Sequence, residues 1–588
     1  MNEAVAAFVA VPEAVVLGLI ATGAGRRLCT VRLPDATGLE RSVLGFPVGM
    51  GLLSLFTTAL LFLRIPGTGL PWILAAVLLS GAVWARRDVL DLLRELRAFV
   101  SEWPWLSAAI AASALLGVIG CLAPETGWDT GVYHFTLARL RAEQGGMLVR
   151  LDVPHGYRPA YMEALYTLGF ALQGETLASL INASFYLAGL ALTRLWGVSL
   201  GGPRGGLFAA LAWMTSATYV LRYDGGDVEV GQAVFLGTAL YALIRLRQGA
   251  GSWRILAGSA LGMLLGIKYA SINIAIVIAA LWLVLRLKDR SGWKPLLLDG
   301  FVIGGLGLAI ACPWYVRNRI AVGSLFFPYG ASVGAGQGLD LGVLSAGGGH
   351  AMLKALGMDV FILAGLAALP VAANARARWT AALPILTGLW TLRQLGFTAP
   401  AVSNAMRYAA PTWLPLMVLG GVGVSEAVAK GGFRRLAALV ALAGPLALGQ
   451  GVLAVRNLPK APVALGLVRR DAYLEGKVST WRAIRDAEAA LPAGKKILLV
   501  EERSYYCRAP FLAAWDVPSA VDFDAMKTAA DLRAFLDREA VGAIVVDREG
   551  GSKIWKFRNL EVRLADTWPP PGVRPLPVSG QASLYRVD

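Results

Sequence analysis

Cysteine is scarce in this chain and poorly placed for chemistry: the four among 588 residues, Cys29, Cys121, Cys312 and Cys507, stand singly. No CxxC pair and no Cys/His spacing joins them, so neither a zinc site nor a disulfide framework is indicated. Charge is scarce too. Only 16% of the residues are charged against 56% hydrophobic, and with a mean hydropathy of +0.58 this excludes a soluble globular protein. Met1 to Ala4 holds no basic residue and carries Glu3, so no cleavable signal peptide is expected and the first apolar run stays as a membrane span. The net charge of +16 is no nucleic-acid signature, because many Arg and Lys residues sit in short loops between apolar runs, where the sidedness bias of membrane proteins puts them.

What is present is a polytopic α-helical membrane protein. Apolar runs able to cross the hydrocarbon fall near 4–22, 43–63, 70–84 and 105–122. Arg26, Arg27, Arg32 and Arg41 follow the first, and Arg86, Arg87, Arg94 and Arg97 follow the third, so both loops are expected in the cytoplasm. The loop after the fourth run is then external. The segment 159–174 is apolar but short and interrupted by Glu163 and Gln173, and reads as an interfacial or re-entrant helix. Later runs bring the total to about fourteen spans. A glycine-rich stretch between Trp314 and Lys354, with Gly347-Gly-Gly-His350, reads as a long external loop.

From about Arg469 the composition changes to that of a small α/β domain. Residues 496–500 and 542–547 read as buried strands, with 531–539 as the helix before the second. It has no glycine-rich phosphate loop and no recognisable nucleophile, so a structural or acceptor-docking role is expected. The expected organisation is 1–103 as N-terminal spans, 104–456 as a transmembrane catalytic core with external loops, and 469–588 as an external soluble domain.

The candidate chemistry begins in the first external loop, Gly127-Trp-Asp-Thr-Gly-Val-Tyr-His134. If helical from Val132, it gathers the carboxylate of Asp129, the phenol of Tyr133 and the imidazole of His134 at a membrane face. Asp129 also stands where a helix N-cap would, ahead of an apolar-periodic run. Asp224, Asp227 and Glu229 fall on the same side, where Gly225-Gly226 also makes a plain turn. Lys268 ends an apolar segment, and either snorkels or serves a site. Arg317 and Arg407 stand at external ends of spans against the sidedness bias, a placement that suits holding a lipid phosphate or diphosphate.

These segments resemble, in order, the bacterial polytopic glycosyltransferases of the GT-C type related to the aminoarabinose and protein mannosyl transferases. Trp128-Asp129 with Tyr133-His134 resembles the acidic first external loop, and Val228-Glu229-Val230 the second acidic position, usually Asp. Gly266-Ile-Lys268-Tyr269 resembles a Gly-Thr-Lys-Tyr segment, Pro313-Trp-Tyr-Val-Arg317-Asn318 through Phe327-Pro328 a Pro-Trp-x-x-Arg-Asn loop, and Arg407-Tyr408 the opening of a late span.

The resemblance implies a GT-C-like fold in the inner (plasma) membrane, with active site and C-terminal domain on the external side. It implies sugar transfer from a polyprenyl-phosphate donor to an acceptor hydroxyl on a lipid, glycan or protein. Asp129 would be the general base. Tyr133, His134, Tyr157, Arg158, Asp227, Glu229, Lys268, Arg317, Asn318 and Arg407 would bind substrate, with Lys268 and Arg317 at the leaving phosphate. The resemblance makes no cofactor certain, and Glu229 in place of Asp leaves a divalent metal open. The alternatives are a transporter or flippase of lipid-linked sugars, against which stands the lack of an internal repeat, a non-catalytic polysaccharide-assembly protein, and an oligosaccharide ligase using a diphosphate-linked donor.

Overall fold

The computed structural model describes residues 3–147, 150–153, 155–290, 292–327, 378–395, 408–501, 503–514, 521–548, 555–578 and 582–588. The glycine-rich stretch expected as an external loop, from 328 on, the expected span at 355–372, and Arg407 lie outside them. Among the described residues, nine helices are long and apolar enough to cross a membrane, and two shorter apolar helices, Leu70–Trp84 and Trp253–Leu265, accompany them. The chain is a multi-pass membrane protein.

Helices α1 (Glu3–Arg32) and α2 (Gly38–Phe62) form the first hairpin. Their backbones touch at Gly25, Gly45 and Gly49, where a Cβ on Gly49 would lie 1.8 Å from the Ala21 carbonyl oxygen. In hydrocarbon, such small-residue contact replaces hydrophobic driving force. The link between them ends in a capping box, in which Thr37 Oγ1 accepts the Glu40 N–H and Glu40 Oε2 accepts the Thr37 N–H. Glu40 also accepts the Tyr241 hydroxyl at 2.8 Å and pairs with Arg245 at 3.0 Å, tying this hairpin to the helix Glu229–Arg247. That helix is buried along almost its whole length and forms the centre of the bundle.

After α3 (Leu70–Trp84), the basic segment expected as a loop is a helix, α4 (Arg86–Glu102), with none of its residues buried. Its apolar residues Leu90, Leu93 and Val100 recur at helical spacing on one face, a pattern masked in the sequence by the charges between them. Arg26 reaches Glu95 on it at 2.6 Å. Arg247–Asp289 and Arg254–Asp299 pairs stand at the same end of the bundle as Arg245–Glu40. The basic loops thus collect at one end, and the acidic segments 123–134 and 222–229 at the other.

Helix α5 (Pro104–Leu122) leads to that second end, followed by α6 (Phe135–Gln144) and α7 (Tyr161–Leu172). The latter is short, as its length predicts, but Tyr161 to Gly169 are all buried, so protein rather than the lipid interface covers it. Helix α8 (Glu175–Thr215) joins two expected spans across a break at Gly201-Gly202, where Gly202 has φ +67° and Pro203 follows.

The C-terminal region holds a five-stranded sheet of order β2-β1-β3-β5-β4. Strands β1 (Lys496–Val500) and β3 (Val541–Asp547) are those expected, and pair in parallel. Strands β2 (Phe511–Ala513), β4 (Val573–Leu576) and β5 (Ala582–Val587) were not foreseen, being short or rich in polar residues. A capping box at Thr528 and Asp531 opens the intervening helix, Ala529–Arg538.

Candidate active site

Trp128 and Asp129 begin a helical turn that continues as a π-helical segment, Thr130–His134. Asp129 has helical dihedrals, φ −59° and ψ −36°, and its side chain caps no backbone N–H. The N-cap reading therefore does not hold. The helix starts a residue before Asp129, and the Gly127 N–H is taken by Glu125 Oε1 at 2.5 Å. Half-buried, Asp129 lines a cavity of about 250 Å³ with Glu125, Trp128, Thr130, Arg222 and Asp227.

From Arg222 and Asp227 in the cavity lining an ionic chain runs onward. Arg222 Nη1 lies 3.3 Å from Asp227 and 4.0 Å from Glu229. Glu229 in turn pairs with Lys268 at 3.2 Å, both side chains being buried. The Lys268 ammonium stands 5.5 Å from the Tyr408 ring. Lys268 does not snorkel to the interface; the buried carboxylate of Glu229, at the start of the helix Glu229–Arg247, holds it inside. The supporting loop is fixed by Tyr166, whose hydroxyl donates to the Asp227 carbonyl at 2.7 Å, and by Asn182, which donates to the Arg222 and Gly225 carbonyls. Asp224 is withdrawn from the cavity wall into pairs with Arg456 at 3.0 Å and Lys460 at 3.4 Å.

A second polar group lies behind the first. His134, expected beside Asp129, instead meets Glu163 through Nδ1 at 2.7 Å, and both are buried. Tyr133 is buried against His134 and His155, with the Arg158 guanidinium 5.8 Å from its ring. The Tyr157 carbonyl accepts from Arg317 at 2.6 Å and from Asn318 at 2.7 Å, and Asn318 also donates to the Tyr269 hydroxyl at 2.6 Å. Arg317 and Asn318 thus clamp the end of the loop that carries Tyr157 and Arg158.

Sequence reasoning missed Glu125, Glu163, Arg222 and the contribution of the C-terminal domain. Tyr506 there donates to the Glu125 carbonyl at 2.8 Å, and the Arg503 guanidinium covers the Trp128 ring at 5.3 Å. Glu125 carried a signal, being a carboxylate four residues before Asp129 at the end of a span. Among the described residues no three His, Cys, Asp or Glu side chains gather into a cation site.

Burial pushes the Glu125 carboxyl up to about 7, with Asp224 and Glu175 adding to the effect and the Gly127 N–H and Lys460 opposing it. The folded protein therefore keeps this proton where the unfolded chain has released it. Stability should fall as pH rises from about 4.5 to about 7, then level off. Glu125→Gln, which needs no ionisation, should raise thermal stability at pH 8 by on the order of 3 kcal/mol at most, with the gain vanishing near pH 4.5. Thermal unfolding across that range checks it; a variant less stable at pH 8 would mean that the ionised carboxylate is needed for folding.

No protein-family model matches this chain, and no curated protein is detectably similar to it in sequence. Solved structures are similar in shape. The apo structure of ArnT from Cupriavidus metallidurans aligns over 82% of this chain and 98% of its own, with a TM-score of 0.55 at 13% identity. ArnT bound to undecaprenyl phosphate aligns over the same shares with a TM-score of 0.51 at 14% identity. The fold is that of the GT-C membrane glycosyltransferases. Near-complete coverage of ArnT means that the GT-C likeness extends through the bundle as a whole rather than through a few helices.

Proposed function

We propose that this protein is a glycosyltransferase that moves a sugar from a polyprenyl-phosphate donor to an acceptor hydroxyl at the external face of the membrane. The observation that carries the reading is the cavity in which the half-buried Asp129 faces Arg222 and Asp227, at the end of the bundle away from the basic loops. In the reaction the acceptor oxygen bonds to the anomeric carbon, its proton passes to Asp129, and the bond from that carbon to the donor phosphate breaks. The leaving phosphate gains charge, and buried cations nearby stabilise it in proportion to how little water surrounds them. Lys268 and Arg317 remain the candidates; they belong to two separate networks, one through Glu229 and one through Tyr157 and Asn318. The donor class is supported by the undecaprenyl phosphate bound to ArnT.

Purified protein in lipid nanodiscs, given polyprenyl-phosphate-linked sugars and a membrane extract as acceptor, should release polyprenyl phosphate and label an acceptor. Release from a diphosphate-linked donor alone would favour an oligosaccharide ligase. No turnover with either donor would sink the enzymatic reading.

A further inference from the structure

Two further cavities meet where the C-terminal domain docks on the bundle. One, of about 800 Å³, opens among the ends of α5 and α7, the start of α8 and the segment 463–471. The other, of about 490 Å³, lies between α6 and residues 507–512, which lead into β2. Arg139, Glu143 and Arg508 line both, so the two run together as one groove. It is separate from the Asp129 cavity but adjoins it: Glu175, in the wall of the groove, accepts the backbone N–H of Glu125, which lines the other.

Where the two cavities join, positive charge is in excess. Arg139 and Arg508 stand 5.8 and 5.4 Å from the centre of the Tyr505 ring and share one carboxylate, Glu143, at 3.1 and 3.7 Å. Arg139 is buried, and its Nε has no hydrogen-bond partner among the described residues. Burial and the neighbouring Arg508 both lower its pKa from the ordinary value, and Glu143 only partly opposes them. Along the whole groove the cations are Arg139, Arg150, Arg469, Arg470, Lys496 and Arg508, against the carboxylates of Glu143, Asp152, Glu175 and Asp471. An excess spread over this length suits a chain with repeated negative charge better than a single ion.

The carboxylates decide what else that chain carries. Glu143 is half exposed and Asp471 is exposed; a bare polyanion gains nothing from such acceptors, whereas hydroxyl groups donate to carboxylates and accept from guanidinium groups. An extended acidic peptide would add to the sheet edge, and that edge is closed. The edge strand is β2, whose Phe511 carbonyl accepts from Arg150 at 3.2 Å and whose Ala513 N–H donates to Asp152 at 3.3 Å. A lipid chain is equally unsuited to the smaller cavity, whose lining includes no residue of the nine long apolar helices. We propose that the groove binds an acidic saccharide chain, with anionic groups set among its hydroxyls. This binding goes beyond the transfer proposed above and stands without it; only the role of the chain as acceptor or product rests on that reading.

The test is equilibrium binding of an oligogalacturonate to the full-length protein in nanodiscs of zwitterionic lipid, with no donor present. The controls are the same oligosaccharide with its carboxylates reduced to alcohols, and a polyglutamate peptide of equal charge. Wild-type protein should bind the oligogalacturonate, and each control at least about tenfold more weakly. Arg508→Glu, at a side chain 45% exposed, should weaken binding at least about tenfold because attraction becomes repulsion. Arg508→Gln, which sets no second acid beside Glu143, should fall between, with thermal unfolding unchanged. Arg574→Glu makes the same change in net charge on β4, at the opposite edge of the sheet, and should bind as wild type does. Absence of binding by wild type, or wild-type affinity in both Arg508 variants, would overturn the groove as the site, and so would equal weakening by Arg574→Glu. Equal binding of the reduced oligosaccharide would overturn the acidic part of the assignment, and equal binding of polyglutamate the saccharide part. None of these outcomes bears on Asp129, whose substitution tests the transfer reading by itself.

Discussion

Replacing Asp129 by Asn should leave the protein folded and lower sugar transfer by roughly two to four orders of magnitude, the range that a positioned general base supplies. The geometry makes the experiment clean. Asp129 caps no helix, so the substitution removes no capping bond. Asn has the same shape and keeps an acceptor oxygen, while losing the negative charge and the ability to take a proton. Asp129→Ser is the companion variant, removing the carboxylate and shortening the side chain. Transfer from a polyprenyl-phosphate donor is measured beside thermal stability. Stable, inactive variants would show that the carboxylate itself is required. Stable, fully active variants would remove Asp129 from the chemistry and direct attention to Glu125, which lines the same cavity and is 9% exposed.

The contrast between Asp129 and Glu163 shows which parts of this site a single sequence reveals. Asp129, Asp227, Glu229, Lys268, Arg317 and Asn318 stand at the ends of apolar runs, where a charge is conspicuous because the lipid beside it penalises charge. Glu163 lies within a short helix whose other residues read as core, and the same pattern that identifies the helix hides the site residue. Glu163 registered only as an interruption. Arg503 and Tyr506 were invisible for another reason: their place beside Trp128 and Glu125 depends on how the C-terminal domain docks, a long-range contact with no local periodicity. The helical bundle was readable because hydropathy and charge bias both act locally. Helix α4 was hidden by the very charges that place it at the basic end of the bundle.

Lys268 poses the sharper question, because its partner confounds any single substitution. Lys268→Met takes from the buried Glu229 its closer cation and leaves it Arg222 at 4.0 Å, and breaking a buried pair costs up to about 3–5 kcal/mol. Lost activity in that variant would therefore say nothing about phosphate. Adding Glu229→Gln removes the under-compensated charge and should recover most of the lost stability, since a buried ion pair replaced by neutral groups is often close to isoenergetic. Arg222, 4.0 Å from Glu229, keeps its closer partner Asp227 in the double variant. If Lys268 stabilises the leaving phosphate, the double variant will be folded and still slower in transfer by about 2–4 kcal/mol of transition-state stabilisation, which is about 30-fold to 1,000-fold. If Lys268 only neutralises Glu229, stability and transfer will return together. The full cycle, with Glu229→Gln alone as its fourth corner, separates the coupling of the pair from the contribution of Lys268 to catalysis.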